Sequence, residues 1–300
     1  MTRIAALALA ALALTAPAAA ARSFTEHRVP FEGHTLYVRD YPGRGPALVL
    51  LHGFPDNLHL YDRLIPYLNG RHVVTFDFLG WGRSDKPHGH TYTFAEQERE
   101  LAKVVDALRL GDRVVPVAHD ASGPAAINWA LDHPGRTAGL VLLNTFYNAM
   151  PELVAPEAIR IFSQPEFTDL ADAVNADPHV NSWLYHWQVG RFMTDPAVRR
   201  HMLTVLWRDF PSEVPAFRSL NRDLIPALTA DTQRVAELQA FTRPVTIAFG
   251  EHDPYLNARV ARAFHALIPD SRLALLPGRH YVQVDVPEQV ARVVLGAAGS

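Results

Sequence analysis

Along most of the chain, short apolar runs rich in β-branched residues alternate with stretches whose apolar residues recur every three to four positions. That alternation predicts strands separated by helices, in a mostly parallel sheet with helices covering it. Glu26–Phe31 and Thr35–Asp40, joined around Gly33, read as a hairpin. Strands follow at Ala47–Leu51 and His72–Asp77, with a helical stretch around Tyr61–Leu68 between them. Phe94–Leu110 has helical spacing and stops at Gly111; Arg113–His119 is a strand, Gly123–Asp132 a helix and Gly139–Asn144 a strand. Later the rhythm resumes with strand Pro244–Gly250, helix Asn257–Leu267, strand Arg272–Leu276 and helix Pro287–Leu295.

Two segments break this rhythm. Residues 146–238 hold Trp183, Trp187 and Trp207, many prolines and helical periodicity, but no convincing strand. The segment is too long for a loop. It reads as a helical insertion over the carboxyl edge of the sheet, where open α/β folds bind ligands. At the other end, residues 1–21 run from Arg3 through an apolar stretch to Pro17 and a row of alanines. This is the layout of a secretory signal, too short for a comfortable membrane span, so the expected mature chain starts near Arg22 and is exported to the periplasm or the medium. The sheet-and-helix core then occupies 22–145 and 239–300.

Composition narrows the chemistry. The chain has 300 residues, 20% charged, with net charge −3, which argues against a nucleic-acid binder resting on a basic surface. It has no cysteine, which excludes disulfides, thiolate metal sites and a cysteine nucleophile. Fifteen histidines leave histidine chemistry open. None of them forms a metalloprotease-type helical pair around a glutamate, and His88 and His90 sit in a Gly/Pro loop, so no metal is expected. The Gly80–Ser84 segment lacks the Lys-Ser/Thr ending of a phosphate loop, and no nucleotide or other cofactor is expected.

The most informative site is Ala118-His119-Asp120-Ala121-Ser122-Gly123, where a strand runs into a helix. A sharp strand-to-helix turn needs small residues two before and two after its apex. With Asp120 at the apex these are Ala118 and Ser122; with Ser122 they would be Asp120 and Pro124, which fit badly. The apex is therefore an aspartate. Taken alone, Asp120 is equally readable as a cap of the following helix.

Three other positions shift that balance. His52-Gly53-Phe54-Pro55 follows a strand; Gly53 permits a close turn, so the Phe54 N–H can join that of Ala121 as an oxyanion hole. Asp253 follows the next-to-last strand in Gly250-Glu251-His252-Asp253, and His280 follows the last in Pro277-Gly278-Arg279-His280. Asp120, Asp253 and His280 thus share one rim, in the chain order nucleophile, acid, histidine.

These motifs, together with the segment Asp77–Pro87, carry a resemblance. From Glu26 to Leu295 the sequence resembles the α/β-hydrolase superfamily, in particular the branch with an aspartate nucleophile: epoxide hydrolases, haloalkane dehalogenases and fluoroacetate dehalogenases. The resemblance implies an α/β-hydrolase fold with a helical cap and a small-molecule substrate, an epoxide or an organohalide. It also implies a covalent alkyl ester on Asp120, hydrolysed by water that His280, oriented by Asp253, deprotonates.

The electrophile depends on what stabilises the leaving group. Haloalkane dehalogenases place a tryptophan directly after the nucleophile; this chain has Ala121. Fluoroacetate dehalogenases carry arginines there, and none is present, although Tyr185-His186-Trp187 resembles their halide-pocket segment. Epoxide hydrolases show the His-Gly-x-Pro turn present here and use two cap tyrosines as acids. Tyr185 fits one; where the second is expected stands Phe217, with Tyr147 a weak substitute. Trp183, His186 and Trp187 are the candidate halide ligands, and equally readable as cap core. The expectation is epoxide hydrolysis, with dehalogenation as the alternative. Esterase or lactonase chemistry through Ser122, or a non-catalytic binding role, stands further off.

Overall fold

The computed structural model describes residues 22–299, so the expected signal at 1–21 lies outside the described residues. Eight strands form one sheet: β1 (Thr25–Phe31), β2 (His34–Tyr41), β3 (Arg44–Leu51), β4 (Arg71–Asp77), β5 (Val114–Asp120), β6 (Leu140–Thr145), β7 (Val245–Gly250) and β8 (Arg272–Leu276). The order is β1-β2-β4-β3-β5-β6-β7-β8. The β1–β2 and β2–β4 pairs are antiparallel, and every other pair is parallel. Val141, Leu142, Val245 and Ile247 are buried regardless of which way they point, as expected for strands covered on both faces. Helices α1 (Phe94–Ala107), α2 (Gly123–Asp132), α9 (Ala258–Leu267) and α11 (Pro287–Ala298) cover the sheet.

The chain order reverses direction across the sheet between β3 and β5. From β3 the chain steps outward to β4, then returns to place β5 on the other side of β3. Such a switch point opens a crevice at the carboxyl ends of the two strands. The turn after β3 is His52-Gly53-Phe54-Pro55, and the end of β5 is Asp120, so topology alone sets these two segments side by side.

Between β6 and β7 the chain forms α3 (Glu157–Ser163), α4 (Thr168–Ala176), α5 (Pro178–Gly190), α6 (Pro196–Trp207), α7 (Phe210–Gln233) and α8 (Val235–Gln239), with no strand. Asp177 and Asp195 cap α5 and α6 by accepting from the backbone N–H groups two and three residues on. Side chains of α7 pin this layer to the core. Glu213 accepts from the Gly82 N–H (2.7 Å), Ser219 from the Tyr92 N–H (2.9 Å), and Asp223 from the Phe94 N–H (2.9 Å).

Some elements depart from the pattern reading. The helix expected around Tyr61–Leu68 is two short 3₁₀ turns, Leu58–Tyr61 and Ile65–Tyr67. Pro66 has no N–H for the bond a continuous helix would need back to Asp62. Helix α1 stops at Ala107 rather than Leu110, because Arg109 has a left-handed backbone (φ +49°). A further short helix, α10 (Val282–Asp285), follows His280, although its valines favour a strand. No helix among the described residues is long and apolar enough to cross a membrane.

Candidate active site

Asp120 ends β5 with a left-handed backbone (φ +51°), a conformation costing an L-residue with a Cβ about 1–2 kcal/mol. The surroundings explain how it is tolerated. A Cβ on Gly123 would lie 2.0 Å from Thr145 Oγ1, and one on Gly53 would lie 2.5 Å from both Cβ and Oδ2 of Asp120. Both glycines are therefore required by space. Ser122 is fully buried; its Oγ accepts from the His119 N–H (3.0 Å) and faces the carbonyls of Leu51 and His119 at 2.9 and 2.8 Å. That hydroxyl secures the turn and does not line the cavity.

The Phe54 N–H donates to Asp120 Oδ2 at 3.2 Å, and the Ala121 N–H also bonds this carboxylate. Burial pushes the Asp120 carboxyl up, while His280 and the two N–H groups pull it back toward the ionised form. The turn carrying Phe54 is itself fixed by His52. His52 Nδ1 lies 2.7 Å from the Gly53 carbonyl, and Nε2 accepts from the Phe78 N–H at 3.2 Å. Burial holds this imidazole neutral, down to about 4.

His280 Nδ1 lies 2.8 Å from Asp253 Oδ2, and its Nε2 lies 3.6 Å from Asp120 Oδ1. Burial alone would depress this imidazole, but Asp253 first, then Asp120 and Asp56, raise it to about 9. Asp253 is held at both oxygens. Oδ1 accepts from the N–H groups of Tyr255 (2.8 Å) and Leu256 (3.2 Å), and Oδ2 accepts from Asn144 Nδ2 (2.9 Å). Asn144, with φ +31°, also accepts from the Gly250 N–H through Oδ1 (2.7 Å). The His280 ring packs against Phe192 (4.6 Å between centroids) and His119 (4.7 Å). Asp120, Asp253, His280 and the backbone of Phe54 and Ala121 are thus brought together.

The cap candidates divide. A cavity of about 160 Å³ opens over Asp120, lined mostly by apolar side chains of α3, α5 and α7. Tyr185 and Phe217 line it; Trp183, His186, Trp187 and Tyr147 do not. On α5, Leu184, Tyr185, Gln188 and Val189 form one buried stripe at helical spacing, leaving the opposite face to Trp183 and Trp187. Those indoles stack on each other at 6.0 Å, with Trp183 64% exposed. His186 turns outward with them, its Nδ1 2.8 Å from the Ser182 carbonyl. The expected halide ligands therefore face away from Asp120. Tyr147 is buried, but its hydroxyl donates to Asn128 (2.8 Å), so it is not a second acid. Phe217 packs edge-to-face on Phe54 (5.7 Å).

The pattern reading missed Asn144, Phe192, Gln188 and Tyr255. Gln188 Nε2 donates to the Tyr255 hydroxyl (2.8 Å), which donates to Glu157 (2.6 Å). Tyr255, two residues past Asp253, thereby joins the acid loop to two cap helices. Only Asn144 carried a signal, as a polar residue ending a buried strand on the same rim. Among the described residues no group of three or more His, Asp or Glu side chains is placed to hold a metal.

Comparison with known proteins agrees with this architecture. The chain is 26% identical over 279 residues to haloalkane dehalogenase 2 of Mycobacterium bovis, covering 89% of this chain and 92% of that protein. It is 40% identical over 110 residues to a fluoroacetate dehalogenase of Burkholderia sp, covering 34% of this chain and 35% of that protein. The crystal structure of the haloalkane dehalogenase DatA from Agrobacterium tumefaciens superimposes with a TM-score of 0.75 at 22% identity, covering 92% of this chain and 96% of that one. The sequence profile of the α/β-hydrolase fold matches residues 46–287, most of the described core and the whole cap, and the chain belongs to that family.

Proposed function

We propose that this hydrolase opens uncharged, apolar epoxides through a covalent ester on Asp120. One observation carries the reading: the cavity around Asp120 is mostly apolar, is lined by Tyr185, whose hydroxyl donates a long hydrogen bond (3.4 Å) to the Pro55 carbonyl, and has no Lys, Arg or Trp among its lining residues. An alkoxide leaving group needs a proton, which a phenol supplies. A halide needs free N–H donors, and the two lining amides already donate elsewhere, Gln188 to Tyr255 (2.8 Å) and Asn181 to Asn175 (3.5 Å); a haloacid needs a cation for its carboxylate. Burial, with Asp56 adding to it, pushes the Tyr185 phenol well above its ordinary value, so it remains protonated and able to donate.

In the first half-reaction Asp120 Oδ1 attacks an epoxide carbon. The ring C–O bond breaks, its electron pair goes to the ring oxygen, and that oxygen takes the Tyr185 proton. In the second, His280 removes a proton from water and the hydroxide adds to the ester carbonyl carbon. The oxyanion forms against the N–H groups of Phe54 and Ala121. Collapse expels the diol oxygen, which takes the proton from His280. The proton left on the Asp120 carboxyl returns through solvent to the Tyr185 phenolate.

Dehalogenation is the second reading, favoured by the names of the two curated relatives. One experiment separates the two. His280→Gln should halt the cycle at the ester, and intact-mass spectrometry reads the adduct. An epoxide adds its whole mass; an organohalide adds its mass less hydrogen halide. Expected is a whole-mass adduct with 1,2-epoxyhexane, absent from Asp120→Asn, and none with 1-bromohexane. An adduct from the bromide alone overturns the epoxide reading, and an adduct that survives in Asp120→Asn overturns the nucleophile.

A further inference from the structure

One buried carboxyl beside the site has no part in the steps above. Asp56 lies two residues after Phe54 and is 1% exposed. Its Oδ1 accepts a hydrogen bond from the hydroxyl of Tyr281, the residue after His280. Its Oδ2 is buried and has no hydrogen-bond partner. The bond therefore ties the turn that carries an oxyanion-hole N–H to the loop that carries the base. The 3₁₀ turn beginning at Leu58 packs on α10, beside this tie.

A carboxyl left half-satisfied in the interior is costly, so a merely structural tie would be better served by an amide or a hydroxyl. What an amide lacks is charge. The titratable groups that face Asp56 are Tyr61, Tyr185 and Tyr281 together with Asp120 and His280. In the free enzyme His280 feels three carboxylates: Asp253, Asp120 and Asp56. In the ester Asp120 is neutral, yet this is the state in which His280 must accept a proton from water.

We propose that Asp56 is a positioning residue for the second half-reaction: tied to the base loop through Tyr281, it supplies the negative charge that stabilises the His280 imidazolium once Asp120 is esterified. Burial, reinforced by Asp120, pushes its carboxyl up to about 7, against the pull of Tyr281 and His280. Its charge is thus present above neutrality and fades below it. The assignment rests on the ester reading for its purpose, but its electrostatic core can be measured without turnover.

Asp120→Asn imitates the uncharged ester. In that protein the His280 imidazole is titrated by NMR with and without the further change Asp56→Asn. The expected result is a His280 pKa about one unit lower in the double variant, a tenfold change in proton affinity. A pKa unchanged within 0.2 units, roughly 1.6-fold, overturns the proposal whatever the substrate proves to be. Tyr281→Phe, which keeps the ring and removes the donor, guards against misfolding of the Asp56→Asn protein. Asp56 then holds its proton more tightly, and the second inflection it contributes to the His280 titration moves to higher pH; an unmoved inflection also overturns the proposal. With turnover, Asp56→Asn should hydrolyse the ester about tenfold more slowly without slowing its formation, since losing the Asp56 charge also eases proton donation by Tyr185; equal slowing of both steps contradicts the assignment.

Discussion

The coupling between His280 and Asp253 should be visible in folding stability as well as in turnover. An imidazole at about 9 in the folded protein and 6.5 in the unfolded chain differs by roughly 2.5 pH units, worth about 3 kcal/mol. The folded pKa is the higher of the two. This contribution is therefore fully present below pH 6.5 and is lost as pH rises through 9. Since His280 is buried with its partner, solvent screening removes little of it. Asp253→Asn should abolish most of that slope, because Asp253 makes the largest favourable contribution to the shift. It should also lower stability at every pH by about 1–3 kcal/mol, since the new amide NH₂ faces two donors, His280 Nδ1 and Asn144 Nδ2, if it takes the Oδ2 position. The assay is urea unfolding of both proteins at half-unit steps from pH 6 to 9.5. The difference in ΔG between variant and wild type should shrink by about 2 kcal/mol or more across that range. A constant difference would refute the reasoning, because it would mean that the imidazolium is not what Asp253 stabilises.

Four further variants test other parts of the site. Ser122→Ala removes a hydroxyl that bonds only the backbone, so it should cost about 1–2 kcal/mol in thermal or urea unfolding and leave kcat/KM within about threefold. Gly53→Ala drives a methyl to 2.5 Å from Asp120 Cβ and Oδ2, and kcat/KM measured with an epoxide should fall by about 100-fold or more while circular dichroism is unchanged. Tyr185→Phe should lower kcat for epoxide opening by about 10²-fold; Trp183→Ala, on the outer face of the same helix, should leave kcat/KM unchanged.

How much of this was legible follows from which interactions are local. The elbow at Asp120 could be read because its constraint is steric and short-range: Ala118, Ser122 and Gly123 are small within three residues of the apex. The rim positions of Asp253 and His280 could be read because each follows an apolar strand, β7 fully buried and β8 half-buried at the sheet edge, whose direction the alternation dictates. The cap could not be read at this level. Tyr185, His186 and Trp187 are consecutive, so a helix points them roughly 100° apart, and a tripeptide likeness gives no phase. Only the wider stripe from Leu184 to Val189 supplies it, and that stripe turns His186 and Trp187 outward. Tyr147 shows the same limit, since its hydroxyl belongs to Asn128, a partner on another element. Tyr255 and Asp56 act through residues more than sixty positions away, and no spacing rule reaches them.

In the proposed cycle, the placement of the two N–H donors makes the division of labour between the half-reactions specific. Phe54 and Ala121 bond the Asp120 carboxylate in the resting enzyme, so they favour the ionised nucleophile against the penalty of burial. The same bonds hold the ground state, and by themselves they do not accelerate attack, because only interactions stronger in the transition state do so. Their differential gain comes later. The ester carbonyl they face is neutral and becomes an oxyanion when water adds, and a donor aimed at developing charge is worth about 3–4 kcal/mol when it is removed. On the proposed mechanism, attack on the epoxide is then assisted by proton donation to the ring oxygen. The cavity offers one phenol for this, Tyr185, and no indole or cation to serve a halide. On that mechanism, a nucleophile held this firmly favours substrates whose leaving oxygen can be protonated. In Tyr185→Phe the rate of ester formation from an epoxide should accordingly fall far more than the rate of ester hydrolysis.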